Sequence, residues 1–413
     1  MFIKQEVRIG DNRELAKQLP DNFIDCLVTS PPYWRARYYD TQPLIYGGKP
    51  DCDHVWVETT TRLANSGVEG HRNETSYTYA TCQRCNVYKG ELGWESTPED
   101  FINHLVEIFD VIKPKLKDGG SVWVNLGDKY FDSTCKHDVL KPRSLCLVPQ
   151  RFAWKMIEHG WMCINEGIWV KKNHMPEPYK TRLTRAHEQI YHFVKNPDYF
   201  YDIDAIRVPH KTKCSTSTIR KIAQTTDFGK TSAFNGDVEH SYHPLGGNPG
   251  DVFEISTESY KGSHTAPFPL KLIKIPILAT TPKFICKKCG KPRERIMKSE
   301  TVNRTATNGW GNGAFYDGSF GNSLHRQVGW SDCGCNAEFD TGVVLDPFCG
   351  SGTVLEFCRQ NGYNAIGFDL NPDYKPLIEE RAMMHTPQLK PTIVPIMDDE
   401  PPKIKTNTMI AEV

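Results

Sequence analysis

The sequence predicts an α/β fold built on a largely parallel sheet with helices on both faces. Three observations predict it. Strand-length apolar runs alternate with segments of helical periodicity through much of the 413 residues, and that alternation buries a parallel sheet on both sides. Over residues 343–369 a strand, a glycine turn, a helix and a strand ending in an acid follow in succession. That layout lays a nucleotide-type ligand across strand ends at a switch point of the sheet. The apolar run 24–28, finally, meets Ser30-Pro31-Pro32-Tyr33. Proline fixes φ and has no N–H to donate, so a strand ends there and the chain leaves in a stiff, extended turn.

The length leaves room for one large catalytic domain with insertions or for two domains. Lys+Arg and Asp+Glu stand at 50 each, so local rather than global charge must attract any polyanion. No apolar run is long enough to span a bilayer, and the opening MFIKQEVRIGD lacks a signal pattern, so a cytoplasmic protein is expected. Seven of the fourteen cysteines fall in two close-spaced sets, an arrangement that suits metal in a reducing compartment.

In chain order, a strand over 7–9 ends in Gly10-Asp11, and a short helix follows over 12–19. Asp11 is either a ligand contact at a strand end or a plain helix cap. Beyond the Pro-Pro turn, Trp34, Arg35, Arg37, Tyr38 and Tyr39 form a basic-aromatic cluster, suited to a phosphate and a stacked base or to a solvated loop. An insertion over 47–97 carries Cys52, His54, Cys82 and Cys85, a complete tetrahedral set for structural zinc, with His71 as a substitute ligand. Thr97 then caps a helix running to 113, with Phe101, Leu105, Ile108, Phe109 and Ile112 on one apolar face. Asp118-Gly119-Gly120 turns into a strand over 121–126. A helix over 147–160 and strands over 163–171 and 187–194 come next.

Residues 171–230 carry twelve Lys/Arg against six Asp/Glu, and either a DNA-reading segment or a charged surface loop fits. A helix spans 270–279. A second insertion is bracketed by Cys286, Cys289, Cys333 and Cys335, the ligand set of a zinc ribbon. The strand 343–345 then runs into Asp346-Pro347-Phe348-Cys349-Gly350-Ser351-Gly352-Thr353, and a helix (354–361) and strand (365–368) lead to Asp369. A redox dinucleotide calls for Gly-x-Gly-x-x-Gly to seat its pyrophosphate. The shorter loop suits an adenosyl ligand without one, such as S-adenosylmethionine. Asp369 would then take the ribose hydroxyls and Asp346 would face the cationic methionine end.

The pair TSPPYW and DPFCGSGT resembles the DNA amino-methyltransferases, which alkylate the exocyclic nitrogen of cytosine or adenine. Catalytic turn first and cofactor loop last resembles the permuted β group. The resemblance implies an S-adenosylmethionine-dependent methyltransferase sheet, Rossmann-like and circularly permuted. It implies catalysis by Ser30, Pro31, Pro32 and Tyr33. It implies cofactor binding by Asp11, Thr29, Phe268, Asp346, Pro347, Phe348, Gly350, Ser351, Gly352, Thr353 and Asp369, and DNA contacts from Trp34, Arg35, Arg37, Arg182 and Arg185. Duplex DNA is the implied partner, with a cognate restriction endonuclease where the chain serves a restriction system. Serine at the first motif position favours cytosine N4, with adenine N6 the alternative. The C5-cytosine route needs a Pro-Cys nucleophile, and the chain has no Pro-Cys pair. A zinc-stabilised DNA-binding protein without activity is the alternative of another class, and a redox enzyme a third.

The expected organisation is catalytic core over 1–46, 98–200, 264–282 (the cofactor-side helix) and 341–386. Insertions over 47–97 and 283–340 interrupt it, together with a target-recognition region over 201–263. Residues 387–413, with five prolines, read as an extended tail.

Overall fold

The computed structural model describes residues 5–49, 51–62, 76–131, 137–209, 245–258, 268–302 and 322–382. His71, the tail 387–413 and most of the expected recognition region (210–244 and 259–263) lie outside the described residues.

The chain opens with β1 (Gln5–Ile9), α1 (Asn12–Lys17) and β2 (Ile24–Thr29). A separate four-stranded sheet follows, made of β3 (Leu44–Tyr46), which precedes the expected insertion, and β4 (Trp56–Arg62), β5 (Ser76–Cys82) and β6 (Tyr88–Gly90), which fall within residues 47–97. The core resumes with α2 (Pro98–Ile112), β7 (Leu116–Leu126), α3 (Val148–Glu158), β8 (Met162–Val170), β9 (His187–Val194), β10 (Val252–Glu254) and α4 (Leu270–Thr280). The second insertion holds β11 (Ile285–Cys286), β12 (Arg295–Val302), β13 (Asn322–Trp330) and β14 (Phe339–Asp340). The chain then returns to the core through β15 (Val343–Asp346), α5 (Thr353–Asn361), β16 (Asn364–Asp369) and α6 (Tyr374–Arg381).

Eight strands form the central sheet, in the order β1-β16-β15-β2-β7-β9-β8-β10. The first five run parallel; β9 is antiparallel to both neighbours, and β10 lies parallel to β8. Side chains alternate across a strand, and the two cores follow that alternation. Leu27, Leu345, Ile366 and Phe368 pack with Leu15 of α1, Phe101, Leu105 and Phe109 of α2, and Phe152 of α3. Cys26, Val28, Val344 and Ala365 face the other way, onto Leu272 and Ile277 of α4, Val354 and Leu355 of α5, and Ile378 of α6. Fully burying one such Leu or Phe contributes about 1.5–3 kcal/mol, so these stripes hold helices on both faces.

Two expectations are corrected. The predicted turn at Asp118-Gly119-Gly120 lies inside β7, which already begins at Leu116. The pairing with β2 shifts register between Ile24 and Cys26, and a Cβ on Gly120 would lie 2.8 Å from Leu116 Cδ1 and 3.0 Å from Asp25 O, so glycine permits close passage rather than a turn. The short edge strand β10 was not foreseen, because three residues carry no period. No helix among the described residues is long and apolar enough to cross a membrane.

Candidate active site

A cavity of about 550 Å³ opens where the carboxyl ends of β1, β2, β7, β15 and β16 converge. Ser30, Pro31, Pro32 and Tyr33 line one side of it; Phe268, Pro347, Phe348, Gly350, Ser351, Thr353 and Asp369 line the other. The parallel sheet brings together two motifs that lie more than 300 residues apart. β2 and β15 are adjacent strands, so the turns that follow them share one edge.

At the catalytic turn, Ser30 Oγ lies 3.3 Å from Tyr33 Oη and 3.4 Å from Asn125 Oδ1. The Tyr33 hydroxyl donates to Glu188 Oε2 at 2.7 Å and lies 3.1 Å from Asn125 Oδ1. Asn125, at the end of β7, is oriented by its own Nδ2, which donates to Gln189 O at 2.9 Å. Lys171 closes the group with an ion pair to Glu188. The Tyr33 ring occupies the space a side chain at Gly127 would need: a Cβ there would lie 2.5 Å from Tyr33 Cε2. Burial first, and then the Glu188 carboxylate, hold the Tyr33 phenol well above its ordinary range, so it stays a donor.

Two expected DNA contacts, Trp34 and Arg35, are corrected. Trp34 is buried, donates its indole N–H to Glu95 O at 3.0 Å and stacks on Phe131. Arg35 is buried too; its backbone N–H donates to Gly93 O at 2.6 Å and its guanidinium donates to Thr61 Oγ1. Arg37 lines the cavity and hydrogen-bonds the Tyr39 side chain. Trp34 and Arg35 thus lock the turn against Glu95 and Gly93, while Arg37 stays at the cavity. Arg182 and Arg185 lie on the β8–β9 connection. Arg182 sits between the Tyr130 and Tyr179 rings, at 3.5 and 3.6 Å from their centroids, and pairs with Glu177. Arg185 is exposed and donates to Asp128 O.

On the cofactor side, Asp369 Oδ2 accepts from Gly350 N at 2.7 Å and Oδ1 from Asn371 N at 2.9 Å. Burial pushes this carboxyl up to about 6, against the pull of those N–H groups. Asp346 departs from expectation: it is wholly buried beneath its loop rather than lining the cavity. Its Oδ1 accepts from Thr29 Oγ1 at 2.7 Å and from Phe348 N at 3.1 Å, so Thr29 and Asp346 tie the two motif turns together from below. Oδ2 has no partner among the described residues. Gly352 likewise stays outside the cavity lining. At φ +82° it starts α5, and a Cβ there would lie 3.0 Å from Ile378 Cγ2. Asp11 lines the cavity, but both its oxygens accept from Arg13 and Oδ1 also caps α1.

The two cysteine sets each converge. In Cys52, His54, Cys82 and Cys85, and again in Cys286, Cys289, Cys333 and Cys335, one ligand atom from each residue lies within 4.8 Å of the others. The Cys289 backbone N–H is foremost in holding the Cys286 thiol down at about 6, toward the thiolate a metal takes. These donor sets fit a soft, tetrahedral cation.

The family model of the DNA methylases matches residues 24–289 and 335–380. The chain belongs to the N6_N4_Mtase family of DNA methylases. This DNA methyltransferase is 25% identical over 391 residues to the type II methyltransferase M.Cfr9I of Citrobacter freundii, covering 90% of this chain and 85% of that one. It is 25% identical over 397 residues to M.SmaI of Serratia marcescens, covering 92% and 90%. Among solved structures, the cytosine-N4-specific PvuII DNA methyltransferase superposes with a TM-score of 0.50 at 16% identity, over 92% of this chain and 86% of that chain, which is a likeness of fold.

Asn125, Lys171 and Glu91 of the methyltransferase line the cavity and were not foreseen as site residues, since none stands in a local motif. Tyr39 and Glu188 line it too; Tyr39 belongs to the basic-aromatic cluster, and Glu188 closes Thr184-Arg185-Ala186-His187-Glu188, which resembles the family's segment near the flipped base. Only the pairing of β7 with β9 brings Glu188 to Tyr33.

Proposed function

We propose that the methyltransferase moves a methyl group from S-adenosylmethionine to the exocyclic N4 of a cytosine flipped out of duplex DNA. The observation that carries this is the single cavity, where the Ser-Pro-Pro-Tyr turn faces the glycine loop and Asp369. The cavity fits the cofactor. Asp369 lines the cavity and, with backbone N–H groups on it, keeps acceptor capacity for a ribose hydroxyl. Phe348 and Phe268 offer apolar walls.

The cofactor supplies a methyl group on a sulfonium, already activated for displacement. The protein's part is to make a poor nucleophile attack. The amine lone pair is delocalised into the base; Ser30 Oγ and the Pro31 carbonyl accept its hydrogens and draw the lone pair out of conjugation, while Tyr33 offers a ring face for stacking. Flipping lets the base reach this depth, and positioning is then the main source of rate. Serine rather than aspartate or asparagine before Pro-Pro supports cytosine.

Further parts belong to the same proposal. The order of catalytic turn and cofactor loop supports a circularly permuted, β-group arrangement. The two cysteine sets hold structural zinc, since four protein ligands leave no open position. Arg182 and Arg185, on the β8–β9 connection, contact DNA. A cognate restriction endonuclease would accompany the chain where it protects host DNA.

The test is methyl transfer from labelled cofactor to unmethylated duplex DNA, digested to nucleosides. N4-methylcytosine as product supports the proposal, and Ser30→Ala should abolish it. N6-methyladenine would overturn the base assignment while keeping the reaction. Cofactor binding without transfer would favour a DNA-binding role.

A further inference from the structure

Methylating an amine creates a proton that must leave. Once the base nitrogen gains a third carbon or hydrogen substituent beyond its ring bond it is cationic and strongly acidic, and the site is walled by Pro31, Trp169 and Phe268. From Ser30 the hydrogen bonds run in one direction: Ser30 Oγ donates to Tyr33 Oη, and Tyr33 Oη donates to Glu188 Oε2, at 3.3 and 2.7 Å.

We propose that Ser30, Tyr33 and Glu188 form a relay that carries the released proton from the exocyclic amine to the Glu188 carboxylate. It rests on amine methylation at Ser30. As the new N–C bond forms, one N–H bond breaks and its proton passes to Ser30 Oγ. The Ser30 hydroxyl proton moves to the Tyr33 oxygen, and the phenol proton moves to Glu188 Oε2. Ser30 and Tyr33 end as they began, the methylated amine is neutral, and Glu188 holds the proton. The Glu188 side chain is 13% exposed, enough to release that proton to solvent.

Asn125 Oδ1 lies within reach of both hydroxyls but is an amide oxygen and a far weaker base. Its anchored Nδ2 makes it the group that holds the two oxygens in line. Between the two acceptors open to Tyr33, the ionised carboxylate at the shorter distance takes the stronger bond. Lys171, paired with Glu188 and 4.8 Å from the centre of the Trp169 ring, sets a cation beside the relay's end. An alkylated amidine-type nitrogen in its cationic form is a much stronger acid than a carboxylic acid, so the transfer runs toward Glu188.

The test uses single-turnover methyl transfer with the full chain in excess over amplified, unmethylated DNA of mixed sequence. Glu188→Gln keeps an oxygen that accepts from Tyr33 but cannot take its proton; Tyr33→Phe keeps the ring and removes the middle of the relay. Each should slow transfer about a hundredfold or more, with cofactor affinity unchanged. The double variant should be no slower than the slower single variant, since both break one chain. Wild type should show a solvent deuterium isotope effect that both variants lose. Wild-type rates in Glu188→Gln, or losses that multiply in the double variant, overturn the relay. A wild-type chain that methylates no base overturns the relay and the proposed reaction together, whereas active wild type with unaffected variants overturns the relay alone.

Discussion

Asp369 and Asp346 are carboxyls at strand ends, the first half-buried and the second wholly buried, and the surroundings give them different work. Asp369 borders the cavity, and burial brings its carboxyl up to about 6. Above that pH it is an anion that accepts hydroxyls; below it one acceptor is lost. Cofactor affinity should therefore weaken as pH falls through 6, and Asp369→Asn should flatten that dependence and lower affinity by about 1–3 kcal/mol, measured by titration calorimetry between pH 5 and 8. Asp346 lies in the interior, and burial raises its carboxyl from an ordinary 3.8 to about 7. Between those values the folded chain keeps a proton that the unfolded chain has lost, so this group's contribution to stability falls as pH rises through the window. Asp346→Asn, neutral throughout, should gain stability relative to wild type between pH 5 and 8 in urea unfolding of the cofactor-free protein.

At the scale of elements, the start of α5 depends on one backbone conformation. Gly352 is left-handed at φ +82° and lies against Ile378. Gly352→Ala should cost about 1–3 kcal/mol, read as a lowered urea midpoint, and weaken cofactor binding through displacement of the loop. The first insertion clamps the catalytic turn. Gly93 O and Glu95 O accept from Arg35 and Trp34, while Glu91 Oε1 accepts from Tyr39 N. Its strands β4 and β5 run from the cysteine set at one end: Cys82 closes β5 and pairs with Trp56 of β4. Elemental analysis should find about two metal ions per chain, four ligands to each. Cys82→Ser should lose one of them and lower methyl transfer with the cofactor affinity kept, because the turn loosens while the glycine loop does not.

Over the whole molecule, charge is balanced at 50 of each sign, so DNA must be held by a local field at the cavity mouth. Arg185 stands exposed on the β8–β9 connection. Arg185→Ala should weaken binding to specific and non-specific duplexes alike and reduce the slope of log affinity against log salt by about 1. A slope that does not move would remove Arg185 from the phosphate contacts. The two cores on opposite sheet faces make the strand ends a rigid edge, which lets turns from five strands meet in one cavity.

The sequence by itself determined the layered α/β plan, the two motif turns and both cysteine sets. Each is written locally: apolar runs set strands, Pro31-Pro32 ends one, glycines set the loop, and close spacing brings thiols together. Tertiary structure decided what those residues face. Trp34 and Arg35 read as a binding face until the insertion is seen to cover them. Asp346 reads as a ligand contact until β2 lies beside β15 and Thr29 takes its oxygen. Glu188 lies in a segment that resembles one near the flipped base, but its partner Tyr33 is fixed only when β9 pairs with β7. A short sequence window records conformational preference and composition, whereas burial and hydrogen-bond partners come from strand order, and strand order is set by packing across the whole chain.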